Sequence, residues 1–274
     1  MALPGFQCSR FRHDGEERDV YRRDPSNGPG PAVVVIHEVP GITPAVRRFG
    51  ERLVEEGYSV FLPHLFGTPD EPEDPFNTGR ALLRACILHE FRVLARRGAS
   101  PITEWLRALC RHAHAACGGP GVGVVGMCLT GNFGLALMAD PSVMAPVLSQ
   151  PSLPFGVTPS HRAALHVSDA ALDTARCRIR DEGLRVLALR FTGDWMCPPE
   201  RFERLRGELG EGVETIEIDS SAENLHGIAR TAHSVLTRDF VDEDGHPTRA
   251  ALDRVLALFE AQLRRVPNEA AAEG

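Results

Sequence analysis

Cys128 stands in the stretch Val122-Gly-Val-Val-Gly-Met-Cys-Leu-Thr-Gly131, flanked by Gly126 and Gly131. The apolar run Val122–Val125 reads as a strand buried on both faces, and Phe133, Leu135, Leu137 and Met138 then give a helical pattern. A turn this rich in glycine, between a buried strand and a helix, holds its central side chain strained and exposed above a sheet. A helix N-terminus beneath a cysteine favours the thiolate, which is the nucleophilic form. A small structural cysteine at a strand end would share this short pattern, so the rest of the chain must carry the argument further.

Three other side chains follow strand-like runs and complete a nucleophilic apparatus. Asp194 lies in Thr192-Gly193-Asp194 after the run Leu184–Phe191, His226 in Asn224-Leu225-His226-Gly227 after Glu214–Ile218, and Glu38 directly after Ala32–Ile36. The chemistry needs a thiol to attack, an imidazole to take its proton and a carboxylate to orient the imidazole. The chain order nucleophile, acid, base is the α/β-hydrolase order and differs from both protease orders. His233, seven residues beyond His226, is the alternative base.

Such groups must be gathered by a scaffold. Phe6–Arg23, with a turn at His13-Asp14-Gly15, suits an antiparallel hairpin at a sheet edge, and Pro25–Pro31 a loop. Further strands are expected at Tyr58–Leu62 and Ala145–Leu148. Helical spacing marks Ala45–Glu56, Asn77–Arg97, Ile102–Cys117, Ser168–Asp181, Pro199–Leu209 and Ala250–Arg265, with Gly57 placed to stop the first of these. Strands alternating with helices predict a mostly parallel central sheet covered by helices on both faces, with the reactive residues at the carboxyl ends of its strands. Residues 1–274 read as one domain, of which 1–30 form the edge hairpin and loop and 266–274 an Ala/Glu-rich tail expected to fray.

Composition removes several functions. All 30 basic residues are arginine, so lysine Schiff bases, pyridoxal phosphate attachment and a phosphate-loop lysine are excluded. A net charge of −7 argues against a nucleic-acid partner. No apolar run approaches the roughly 18 residues of a membrane span, and the first residues lack a secretory apolar core. Seven irregularly spaced cysteines suit free thiols in a reducing, cytoplasmic compartment. No zinc-like spacing appears, and neither metal nor cofactor is implied.

Taken together, four stretches resemble the dienelactone hydrolase family, α/β-hydrolases with a Cys-Asp-His triad. They are His37-Glu38-Val39-Pro40-Gly41, Gly126-Met127-Cys128-Leu129-Thr130-Gly131, Gly193-Asp194, and His226-Gly227-Ile228-Ala229-Arg230-Thr231, within a match from about Pro31 to Leu263. The resemblance implies Cys128 as nucleophile, Asp194 as orienting acid and His226 as base, since His233 lacks the match to the Arg-Thr segment. It implies Glu38 as partner of the resting thiol, the backbone N–H groups of Val39 and Leu129 as oxyanion hole, and Arg230 as the binder of a substrate carboxylate. The implied activity is hydrolysis of small lactones or activated esters through a cysteine acyl-enzyme. Acyl transfer or lactone formation on the same triad, or non-catalytic binding of a small ligand, are the alternatives. Thr130 departs from the glycine usual in the family, a second substrate-binding arginine is to be sought among Arg80, Arg84 and Arg92, and Ser149–Arg180 is long for a minimal member.

Overall fold

A computed structural model describes residues 2–73 and 101–264. The expected helix Asn77–Arg97, the three candidate arginines within it and the tail 266–274 lie outside the described residues.

One eight-stranded sheet organises the chain, in the order β1-β2-β4-β3-β5-β6-β7-β8. The strands are β1 (Gln7–His13), β2 (Glu16–Arg23), β3 (Ala32–Ile36), β4 (Ser59–Pro63), β5 (Val122–Met127), β6 (Val143–Ser149), β7 (Val186–Phe191) and β8 (Val213–Ile218). β1 and β2 form the expected edge hairpin, turning through Asp14 and Gly15 at positive φ, and β2 joins β4 antiparallel. From β4 to β8 every pairing is parallel.

The described helices are α1 (Pro44–Glu55), α2 (Pro101–Cys117), α3 (Phe133–Leu137), α4 (Pro159–Arg162), α5 (Asp169–Glu182), α6 (Pro199–Leu209) and α7 (Pro247–Leu263). Local chemistry sets their ends. The Thr43 hydroxyl accepts from Val46 N to start α1, and Gly57 at φ 87° closes it, with Gly57 N donating to Val54 O and Tyr58 N to Leu53 O. Ser168 caps α5 in the same way, and Gly183 at φ 68° ends it.

The central strands are continuous β-branched runs because both faces are covered. Val34, Ile36 and Val124 pack on one side with Trp105, Leu106 and Leu109 of α2. Val33, Val35 and Val125 pack on the other with Phe49 and Leu53 of α1 and Val255 and Phe259 of α7. Each such side chain contributes about 1.5–3 kcal/mol through burial, which makes the sheet a rigid platform for the loops at its carboxyl edge. Beyond Cys128 the helical pattern is interrupted: a 3₁₀ turn, Cys128–Thr130, precedes the five-residue α3. Pro141 follows closely and disfavours helical backbone at Asp140, which limits any extension.

Candidate active site

The elbow forms because glycine is required on both sides of Cys128. A Cβ on Gly126 would collide with the carbonyl oxygens of Thr130 and Gly131, and one on Gly131 would lie 2.5 Å from the Cα of Pro151. Cys128 itself sits at φ 55°, a conformation that costs a non-glycine residue energy and persists only where the surroundings enforce it. Its carbonyl accepts from Gly131 N and from Ser152 N at 2.9 Å, which ties the elbow to the loop after β6.

Asp194 lies at the carboxyl end of β7, in a turn fastened to the end of β8. Gly193 N donates to Ser220 Oγ at 2.9 Å, Ser220 N to Thr192 Oγ1 at 3.0 Å, and Thr192 N to Ile218 O. The Asp194 carboxylate is buried. One oxygen accepts from Met196 N, and the other lies 2.7 Å from His233 Nδ1.

His233, not His226, is therefore the imidazole at the acid. Its ring is buried, and Nε2 has no hydrogen-bond partner among the described residues; the Cys128 sulfur is among the groups near enough to act on its charge. Burial opposes protonation of His233, but the sulfur of Cys128 and the carboxylate of Asp194 together raise its pKa well above the ordinary imidazole value. The backbone beneath it is equally fixed, since Asp239 Oδ2 accepts from His233 N and Ser234 N, both at 2.8 Å. Burial alone would raise the Asp239 pKa, yet Arg238 and these two N–H groups hold it below the usual range.

The expectation for His226 is corrected by the course of the chain after β8. Residues 221–231 form a surface excursion in which His226 is exposed, its ring edge-on to His246 with centroids 5.3 Å apart. Asn224 shapes this loop, its side chain accepting from His226 N and Ile228 N. Only at Ala232 does the chain turn inward, and 232–237 are all buried. The sequence does not separate the two, since His226 stands beside Leu225, Ile228 and Ala229 and His233 beside Ala232, Val235 and Leu236.

Glu38 is also placed differently from the expectation. It is buried at the end of β3, but its carboxylate accepts from Gln150 Nε2 at 3.1 Å, Ser234 Oγ at 2.8 Å and Thr237 Oγ1. Those donors surround it because the His233 segment crosses directly over the loop after β3. The carboxylate thus fastens the histidine loop. The preceding residue, His37, is neutral: complete burial pushes its pKa down to about 3, and its ring bridges Glu38 O and Leu65 N.

Val39 and Leu129, the expected oxyanion donors, come from the loop after β3 and from the elbow after β5, which are neighbouring strands. Val39 packs against the cluster that contains Cys128 and Leu129. Arg230 is exposed, its backbone carbonyl and Cγ lying over Gly193 of the acid turn. The long segment after β6 is organised from within. The buried Arg201 guanidinium donates to the carbonyls of Pro151, Pro154, His161 and Ala164, four acceptors that hold 151–164 against α6. Among the described residues no group of three or more potential ligands could hold a metal, and no helix is long and apolar enough to cross a membrane.

Comparison with known proteins agrees with this architecture. A protein from Klebsiella pneumoniae assigned as a dienelactone hydrolase superposes with a TM-score of 0.58 at 21% identity, covering 93% of this chain and 98% of the other. P91, a dienelactone hydrolase-like promiscuous phosphotriesterase from metagenomic libraries, gives 0.58 at 14% identity, with 94% and 98% covered. Est1E from Butyrivibrio proteoclasticus gives 0.54 at 12% identity, with 93% and 98% covered. These likenesses show the α/β-hydrolase fold. No curated protein matches the sequence. The profile of the dienelactone hydrolase family, however, matches residues 19–263, nearly the whole described chain, and this protein belongs to that family of hydrolases.

Proposed function

We propose that the protein hydrolyses small lactones or activated carboxylic esters through an acyl-enzyme on Cys128. The observation that carries this reading is the buried Asp194–His233 pair, joined at 2.7 Å, with the Cys128 sulfur at a strained elbow among the groups that act on the imidazole. The Cys128 sulfur attacks the acyl carbon, and its proton resides on His233 Nε2. Negative charge develops on the former carbonyl oxygen and is met by the N–H groups of Val39 and Leu129. As the C–O bond breaks, the departing enolate or alkoxide takes the proton from His233. Water then attacks the thioester and passes a proton to His233, the C–S bond breaks, and the thiol is restored with release of the acid. Asp194 keeps the ring oriented and stabilises its charged form.

Activated leaving groups suit this apparatus because a thiolate is itself easily expelled from the tetrahedral intermediate. A better leaving group on the other side commits that intermediate forward. Arg230, exposed beside the acid turn, is the cation we assign to a substrate carboxylate, which its planar fork can bind in bidentate fashion. The reading is tested with an aryl acetate. Wild-type protein is expected to show turnover and a trapped acyl adduct on Cys128 by mass spectrometry, both lost in Cys128→Ala. Turnover by Cys128→Ala near the wild-type rate would overturn it.

A further inference from the structure

The Thr130 side chain is fully buried two residues beyond the nucleophile, and its hydroxyl lies at the junction of β3 and β5. Thr130 Oγ1 accepts from Met127 N at 3.0 Å. It also lies 2.8 Å from Met127 O, 2.9 Å from Ile36 O and 3.2 Å from His37 O, three carbonyls among which its single proton is shared. Two of those carbonyls belong to the end of β3, two or three residues before Val39. The other contacts are to the residue immediately before Cys128.

The two N–H groups assigned to the oxyanion hole therefore arise from separate loops, and one hydroxyl bonds the backbone of both. Ladder pairing between β3 and β5 extends only to Ile36 opposite Gly126. Beyond it the Thr130 hydroxyl continues the connection on the side where the site lies. On the β3 side the same loop is held by His37, which bridges Glu38 O and Leu65 N.

We infer that Thr130 is a positioning residue for the oxyanion hole: its hydroxyl sets the separation of the Val39 and Leu129 N–H groups by cross-linking the elbow to the loop after β3. This rests on the acyl-enzyme reading above. A donor matters most in the transition state, and misplacement by a fraction of an ångström weakens that interaction while leaving substrate binding nearly unchanged.

The test separates reactions that build an oxyanion from one that does not. Alkylation of Cys128 by iodoacetamide uses the same thiol and imidazole but passes through no tetrahedral oxyanion. In Thr130→Val, which keeps the shape and removes the hydroxyl, kcat and kcat/KM for an aryl ester are expected to fall together by about 10- to 100-fold. The rate and pH profile of Cys128 alkylation should stay within about twofold of wild type, and Thr130→Ser should restore hydrolysis. If Thr130→Val does not fold, Thr130→Ala and Thr130→Ser make the same comparison. Unchanged hydrolysis in the hydroxyl-free variant, equal loss of hydrolysis and alkylation, or failure of serine to restore the rate would each overturn the inference. None of these outcomes touches the acyl-enzyme reading, which stands or falls on Cys128→Ala.

Discussion

The two histidines that follow β8 lie seven residues apart and in opposite physical settings. Around His226 the chain is a surface excursion held by Asn224, with Leu225 95% exposed beside it. Around His233 it is fastened from three directions. Asp239 accepts the backbone N–H groups of His233 and Ser234, Glu38 accepts the hydroxyls of Ser234 and Thr237, and Asp194 takes the ring. The comparison teaches that chain order does not choose between the two imidazoles; what immobilises each of them does. An imidazole is available at either position, but only His233 has its ring held by a buried carboxylate, and such preorganisation costs nothing during reaction.

The largest expected effects test this contrast directly. His233→Ala should lower kcat/KM for an activated ester by about 10³-fold or more, whereas His226→Ala should stay within about twofold. Steady-state kinetics on the two purified variants decide it, and the reverse ranking would return the base to the surface loop. Asp194→Asn should resemble His233→Ala, because an amide at that place no longer fixes the imidazole tautomer.

A smaller effect is expected at the fastening itself. Glu38→Ala leaves Ser234, Thr237 and Gln150 without their shared buried acceptor, which should cost about 1–3 kcal/mol in urea denaturation. It should also lower kcat by about tenfold through loosening of the His233 loop, with KM little changed. Faster air oxidation of Cys128 at unchanged kcat would instead make Glu38 a partner of the thiol.

Buried His37 and His233 should give opposite pH signatures. Native His37 resists protonation down to about pH 3, whereas an unfolded histidine takes up its proton near the ordinary value of 6.5. The unfolded state therefore binds more protons between those values, and stability falls as pH drops through that window. For His233 the native pKa is raised. Its contribution is complete below the ordinary value and disappears as pH climbs through the raised one. Urea midpoints across pH should thus show a shallower acid limb in His37→Gln than in wild type. The stability difference between wild type and His233→Gln should shrink on the alkaline side. A constant difference for both variants would remove the distinction.

The smallest effect concerns the rim. Arg230→Ala should raise KM about two- to fivefold for a carboxylate-bearing lactone and leave a neutral ester of similar leaving group unchanged, as expected for an exposed ion pair. Equal effects on both substrates would detach Arg230 from substrate charge.

Much of this protein was legible in residue order alone. The β-branched runs at Ala32–Ile36 and Val122–Val125, the glycines flanking Cys128 and the stop at Gly57 specify local geometry through sterics and burial, which act over a few residues. Cys128 at the elbow and Asp194 in its Gly-Asp turn follow strand ends closely, so short-range rules suffice to place them. The partner of Asp194 was different in kind. Both histidines follow β8, and only the path of 221–231 over the surface decides which one returns to the sheet edge. That path is set by contacts over long sequence separations, such as Gly193 against Arg230 and Glu38 beneath Ser234 and Thr237. Likewise Glu38 reads in sequence as a carboxylate near a thiol, and becomes an anchor because three donors from the loop after β6 and the histidine loop reach it first. Thr130 reads as crowding in a glycine-rich turn, yet the tertiary fold brings the end of β3 within reach of its hydroxyl and makes it a cross-link. Covalent neighbours and steric limits are written in the sequence, but the pairing of buried polar groups depends on which chain segments meet, and that is decided only when the sheet and its loops close together.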